Sequence, residues 1–239
     1  MERSGIMAYG EIMPNFTYKT AITNGLRTDT ITDWIDKGRQ KGATINANNI
    51  ATTLRFDYAT GNGLNLGASF YYGTGSDRAG GEEKGNQEAK FYLYTFESQF
   101  QKGNLWMKGL YSFGNVDGND TFKYEKPDTN RAKSVYGWYI ETAYNIIPHL
   151  NPESTKSLTP YIRYERYNLH DEVFEGKISD KTKDRSVFTI GFDFKPHPQV
   201  VIKAEYQFRD TNSKLPEGKG SGKDENKIDQ FNFGIGFNF

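Results

Sequence analysis

The last nine residues, Phe231-Asn232-Phe233-Gly234-Ile235-Gly236-Phe237-Asn238-Phe239, decide the fold. Every odd position carries a large apolar side chain, and every even position is Asn or Gly. Side chains alternate between the two faces of a strand, so this stretch has one apolar face and one polar face. The segment before it repeats the split: Val200, Ile202, Ala204, Tyr206 and Phe208 oppose Lys203, Glu205, Gln207 and Arg209. Phe188, Ile190, Phe192 and Phe194 likewise oppose Thr189, Gly191, Asp193 and Lys195, and Tyr136, Trp138, Ile140, Tyr144 and Ile146 oppose Gly137, Tyr139, Glu141 and Asn145.

Working toward the N-terminus, the same alternation runs through 158–167, 105–113, 90–101, 64–72, 50–58 and 16–24. About ten segments of roughly 9–12 residues result, the length of a tilted strand that crosses a bilayer. A shorter stub lies at Ile6–Tyr9, before an expected turn at Gly10–Pro14. The connections alternate as well. Short ones fall near 61–63, 102–104, 148–157 and 196–199, and long polar ones near 25–49, 74–88, 115–133, 170–184 and 210–226. Short turns on one side and long loops on the other are the pattern of an up-and-down membrane barrel. The fold expected is all-β, an antiparallel transmembrane β-barrel in a single domain over residues 1–239.

Composition agrees with this and closes other classes. Thirty basic and thirty acidic residues cancel, so the electrostatic footprint of a nucleic-acid binder is absent. There is no cysteine, which removes disulfide frameworks and thiolate metal or redox sites. Aromatic residues make up 15% of a chain whose mean hydropathy is −0.76. No run of eighteen apolar residues occurs, which excludes a transmembrane helix but not a membrane strand, where only alternate positions are apolar. Glu2, Arg3 and Ser4 follow Met1 without an apolar stretch of the signal-peptide kind.

Several short motifs carry a family resemblance. Thr23-Asn24-Gly25-Leu26, Gly38-Arg39-Gln40-Lys41-Gly42, Leu54-Arg55-Phe56-Asp57-Tyr58, Leu158-Thr159-Pro160-Tyr161-Ile162-Arg163-Tyr164-Glu165 and Lys203-Ala204-Glu205-Tyr206-Gln207 resemble the phosphate-selective porins O and P of bacterial outer membranes. The resemblance implies a barrel of about sixteen strands, often a homotrimer. Ten full strands and a stub are fewer than that, so the chain is expected to be a C-terminal portion of a longer protein, incomplete at its N-terminus. The phosphate selectivity is not carried over, because no arginine ladder matches these strands.

The candidate functional residues are the charges on the polar parity. They are Lys19, Arg55, Lys108, Arg163, Lys195, Lys203 and Arg209, against Asp57, Glu97, Glu141, Glu165, Asp193 and Glu205. Each could simply satisfy a neighbour across the strand pair. Collectively they would line water and set a field that favours hydrated solutes. In the loop at 30–41, Trp34 and Ile35 interrupt a polar stretch with Arg39 and Lys41, and the loop is expected either to fold inward as a constriction or to form a short surface helix ending at Gly38.

Other motifs read as ordinary structure. His149 and His197 sit beside prolines in expected turns, and His170 precedes Asp171 and Glu172 in an expected loop, where a His–Asp pair could activate water. A solvated polar loop is the ordinary explanation, and catalysis is disfavoured. Gly218-Lys219-Gly220-Ser221-Gly222-Lys223 lacks phosphate-loop spacing, and Asp117-Gly118-Asn119-Asp120 lacks the spacing of a calcium loop. The expectation is therefore a non-enzymatic outer-membrane porin without cofactor or metal. It would be embedded in outer-membrane lipid and pass small hydrophilic solutes or ions, with anions such as phosphate included. The rival readings are a non-channel barrel, adhesin or enzyme, acting through its long loops, and a secreted β-sandwich.

Overall fold

The computed structural model describes residues 5–27, 34–35, 49–76, 89–118, 132–174, 178–211 and 229–237. The strands are β1 (Gly5–Met13), β2 (Phe16–Asn24), β3 (Leu26–Arg27), β4 (Ile50–Ala59), β5 (Leu64–Ser76), β6 (Ala89–Lys102), β7 (Leu105–Gly118), β8 (Ala132–Tyr144), β9 (Ser157–Val173), β10 (Asp184–His197), β11 (Val200–Thr211) and β12 (Gln230–Phe237). A four-residue helix, α1 (Ile147–Leu150), sits between β8 and β9. Every long strand pairs antiparallel with its neighbour in the chain, in the order β1-β2-β4-β5-β6-β7-β8-β9-β10-β11-β12, and β3 pairs in parallel with β5.

The short connections form one side of this sheet. Pro14-Asn15 joins β1 to β2, with Asn15 at φ 67°, and Gly103 at φ 56° helps join β6 to β7. Asn and Gly enter the left-handed region at least cost, which is why they hold these tight positions. Two expectations change here. The N-terminal stub is a complete nine-residue strand, because Gly10 does not end it: Tyr18 fills the space beside that glycine, and the turn begins only after a bulge between Glu11 and Met13. Strands also run further on the loop side than the alternation suggested, β5 to Ser76, β7 to Gly118 and β9 to Val173. His170 thus lies in a strand and His197 ends one, while His149 lies in α1.

The register separates two faces. One row runs Lys19, Arg55, Ser69, Thr95, Ser112, Gly137, Tyr167, Arg185, Thr211 from β2 to β11. The row beside it on the other face reads Tyr18, Phe56, Ala68, Phe96, Tyr111, Trp138. On that second face the large apolar side chains are the exposed ones, among them Phe96, Ile140, Ile162, Ile190, Phe233 and Ile235. The buried side chains of Tyr71, Phe91, Val116, Tyr161, Val187 and Thr189 belong to the polar parity. A soluble domain shows the reverse, and a sheet whose apolar face meets lipid shows this arrangement.

Candidate functional site

All of the charged residues singled out from the sequence fall on the polar face, and pairing brings most of them together. Three groups form. In the first, Arg55 Nε donates to both Asp57 oxygens at 3.0 Å, and its two terminal nitrogens donate to Glu97 Oε1 and Oε2 at 3.1 Å each. Asp57 and Glu97 stand opposite each other across Gly67 of β5. One guanidinium therefore links β4 to β6 over the intervening strand.

The second group centres on Arg163, whose Nη2 lies 2.7 Å from Glu141 Oε2 and whose Nη1 reaches Glu165 at 3.5 Å. Lys108 approaches the other Glu141 oxygen at 4.0 Å, and the guanidinium sits 5.1 Å from the centre of the Tyr139 ring. In the third, Glu205 accepts from Tyr161 Oη, from Asn232 Nδ2 at 3.0 Å and from Gln207 Nε2 at 2.9 Å. Lys203 Nζ lies 3.4 Å from the same carboxylate and 4.8 Å above the Tyr161 ring. Charge-assisted hydrogen bonds of this kind fix side chains that would otherwise be free in water. Among the described residues Lys19, Lys195 and Arg209 bond no carboxylate, and Arg209 Nε donates instead to Gln207.

These groups occupy the turn-side half of the strands. Toward the loop side the same face becomes apolar: Leu26, Ala51, Tyr71, Ala89, Phe91 and Val116 are buried together, with Trp34, Ile35, Leu93 and Phe174 packed on them. Gly25 and Asn49 close the neck of the loop between β3 and β4, Gly25 N–H donating to Asn49 O at 2.7 Å and Asn49 Nδ2 to Leu26 O at 3.2 Å. Trp34 and Ile35 lie on this face; Arg39 and Lys41 fall outside the described residues, as does the rest of the expected helix to Gly38. Two cavities of about 420 and 350 Å³ flank Arg55, the first bounded by Lys19, Ser69, Tyr71 and Thr95, the second by Thr17, Asp57, Asn65 and Gln99.

Sequence reading put Gly191, Tyr139, Gln207 and Asn232 on the polar parity but gave them no role, and it did not single out Gly67, Gly114 or Tyr161. Gly67, Gly114 and Gly191 are mid-strand glycines of this face, and Tyr139, Tyr161, Gln207 and Asn232 are the uncharged partners of the charges. A glycine in the middle of an alternating strand was the available signal. His170 is buried, and it does not pair with Asp171, which instead accepts from Ser134 Oγ at 3.2 Å. Its Nδ1 accepts from the Asp180 N–H at 3.3 Å and its Nε2 lies 3.1 Å from Lys183 Nζ. The Thr182 hydroxyl, and after it the Thr182 N–H, hold the Asp180 carboxyl below its ordinary range. Asp117 and Gly118 end β7, and the remainder of that motif and all of 218–223 lie outside the described residues.

Residues 2–239 match the family model described as "Putative beta-barrel porin-2, OmpL-like". An uncharacterised protein of Aquifex aeolicus (strain VF5) is 27% identical over 223 residues, which cover 88% of this chain and 49% of that protein, so the chain spans about half the length of the curated relative it matches. Among solved structures, a loop L8 deletion mutant of OmpT, an outer membrane protein of Vibrio cholerae, superposes with a TM-score of 0.53 at 12% identity, over 98% of this chain and 62% of that one. A porin refined at 1.8 Å resolution aligns with a TM-score of 0.49 at 11% identity, over 99% and 62%.

Proposed function

Because the chain belongs to the beta-barrel porin-2 family, a family of transmembrane barrels of the bacterial outer membrane, we propose that its polar face lines a water-filled channel for passive diffusion of small hydrophilic solutes. The observation that carries this reading is the two-faced sheet, in which fixed charges share one side and exposed aromatic and branched residues the other. Lipid accepts the second face and rejects the first; a hydrated lumen does the opposite.

The charge pattern also supports a weak preference for anions. Arg163 and Lys108 are balanced by Glu141 and Glu165, and Lys203 by Glu205, while Arg55 between Asp57 and Glu97 leaves one negative charge in excess. Among the candidate charges Lys19, Lys195 and Arg209 keep their charge available to solution ions, against Asp193 and that excess carboxylate on the acidic side. Such a wall attracts small anions, phosphate among them, without excluding cations, since charges further apart than a Debye length of roughly 8 Å are screened at physiological salt. Trp34 and Ile35 packed on the loop-side half of the polar face support a second element of the reading, a narrowing of the channel there.

Single-channel recording of the purified protein in a planar bilayer tests the proposal. Stepwise currents, with a reversal potential in a salt gradient displaced modestly toward the anion limit, are expected. A folded, inserted protein that carries no current would defeat the channel reading, and a strong cation preference would defeat the charge assignment alone.

A further inference from the structure

Among the glycines of the polar face are Gly67, Gly114 and Gly191, and at each of these three a side chain from another segment fills the space beside it. A Cβ built on Gly67 would lie 3.0 Å from Arg55 Nη2 and 3.3 Å from Asp57 Oδ1. One on Gly191 would lie 2.7 Å from the Tyr161 phenol, and one on Gly114 2.6 Å from the Trp34 ring. Gly191 separates Tyr161 from Glu205 in the register as Gly67 separates Asp57 from Glu97. The glycine is thus the floor over which Arg55, and in the other case Tyr161, crosses to a carboxylate two strands away.

Strands two apart are separated by roughly 9.5 Å, twice the interstrand spacing, so a side chain bridging them must lie flat on the strand between. Any ordinary side chain at 67 would rise into the space that the guanidinium occupies. At Gly67 the nearest neighbours a Cβ would meet are side-chain ends, whereas at Gly191 the Ala204 carbonyl stands 2.7 Å away. Gly67 is therefore the position where the bridge can be disturbed without moving backbone.

We propose that Gly67 is a positioning residue that sets both the aperture and the placement of charge on the channel wall, by holding Arg55 flat between Asp57 and Glu97 so that its guanidinium does not project into the lumen. The inference rests on the channel reading above. With a bulky residue at 67, the guanidinium loses Glu97 and stands in the water-filled path beside Asp57. The wall then shows a raised Arg55–Asp57 pair and a free Glu97 carboxylate where one guanidinium had been shared by both, and the open cross-section shrinks.

The test combines two readouts on the full chain folded into lipid or detergent. Urea unfolding midpoints are measured for R55Q, E97Q and the double variant, in the presence of Gly67 and in the G67L background, and single-channel conductance is recorded for wild type, G67L and R55A/G67L. The midpoint shifts of R55Q and E97Q should be non-additive with Gly67, because each breaks the same contact, and additive in G67L. Conductance should fall in G67L and recover in R55A/G67L. Coupling that persists in G67L, or a conductance loss that removal of Arg55 does not relieve, overturns the proposal. Should G67L not fold, G67A replaces it, with a reduced coupling expected and an unchanged one contradictory. A wild type that folds without conducting sinks the channel reading, while the coupling measurement still judges Gly67.

Discussion

Glu141 keeps only 14% of its side chain exposed, and it holds Arg163 at 2.7 Å with Lys108 on its other oxygen. Replacing it with Gln removes the charge but not the shape, leaving two cations beside a neutral amide. The expected cost is about 1–2 kcal/mol in unfolding free energy, within the range of hydrogen bonds to charged groups and discounted for the water that reaches Arg163. Urea titration of E141Q checks this, and a loss below about 0.3 kcal/mol would mean that the pair is solvated like an ordinary surface bridge. Asp180 makes a second residue-level prediction. The Thr182 hydroxyl, and after it the Thr182 N–H, hold its carboxyl below the ordinary range. A carboxyl lowered in the folded state contributes stability that is present above the ordinary carboxylate range and is lost as pH falls through the lowered value. Amide hydrogen exchange in 178–183, corrected for intrinsic rates, should therefore quicken as pH falls below the ordinary carboxylate range, and D180N should abolish that step. An identical change in D180N would contradict the assignment.

On β12, Ile235 and Gly234 are adjacent residues that face opposite ways. Ile235 is 54% exposed on the apolar face, while a Cβ on Gly234 would have no neighbour within 4 Å. Arg at Ile235 should cost about 2–4 kcal/mol if the position is near the bilayer midplane, and Arg at Gly234 much less. Folding titrations into lipid vesicles compare the two, and equal penalties would refute the assignment of faces. The element scale is also where the sequence was most informative. A period of two with one apolar parity identifies a two-faced strand wherever the pattern is complete, as at 200–208 and 231–237, and the register gathers the candidate strand charges on one face. The same reasoning stopped short at β1, where Gly10 and Pro14 imitate a wide turn that only the cover of Tyr18 on Gly10 reveals as strand. It missed the loop-side ends because the inner face there is apolar, with Phe91 and Val116 buried under Trp34 and Leu26, so the contrast between parities fades. The bridges over Gly67 and Gly191 were not legible either, since they join strands two apart and depend on a register that no local pattern encodes.

Across the whole molecule, the described strands form one continuous sheet with β1 and β12 at its edges. Strict antiparallel order makes β1 and β12 run in the same direction, so an edge-to-edge seam between them would be parallel. In lipid an unpaired backbone group costs several kcal/mol, so each edge needs a hydrogen-bonding partner there. Pairing at the edges leaves the division into an apolar face and a polar face intact. That division is the central claim, and the sequence offers a clean test because it contains no cysteine. Single cysteines would be placed in turn at 202 to 207 on β11, and a charged, membrane-impermeant thiol reagent added during single-channel recording. Modification at Lys203, Glu205 and Gln207 should step the current down, while Ile202, Ala204 and Tyr206 remain unreactive and the current unchanged. Equal reactivity at both parities, or current blocked from the 202, 204 and 206 positions, would contradict the account.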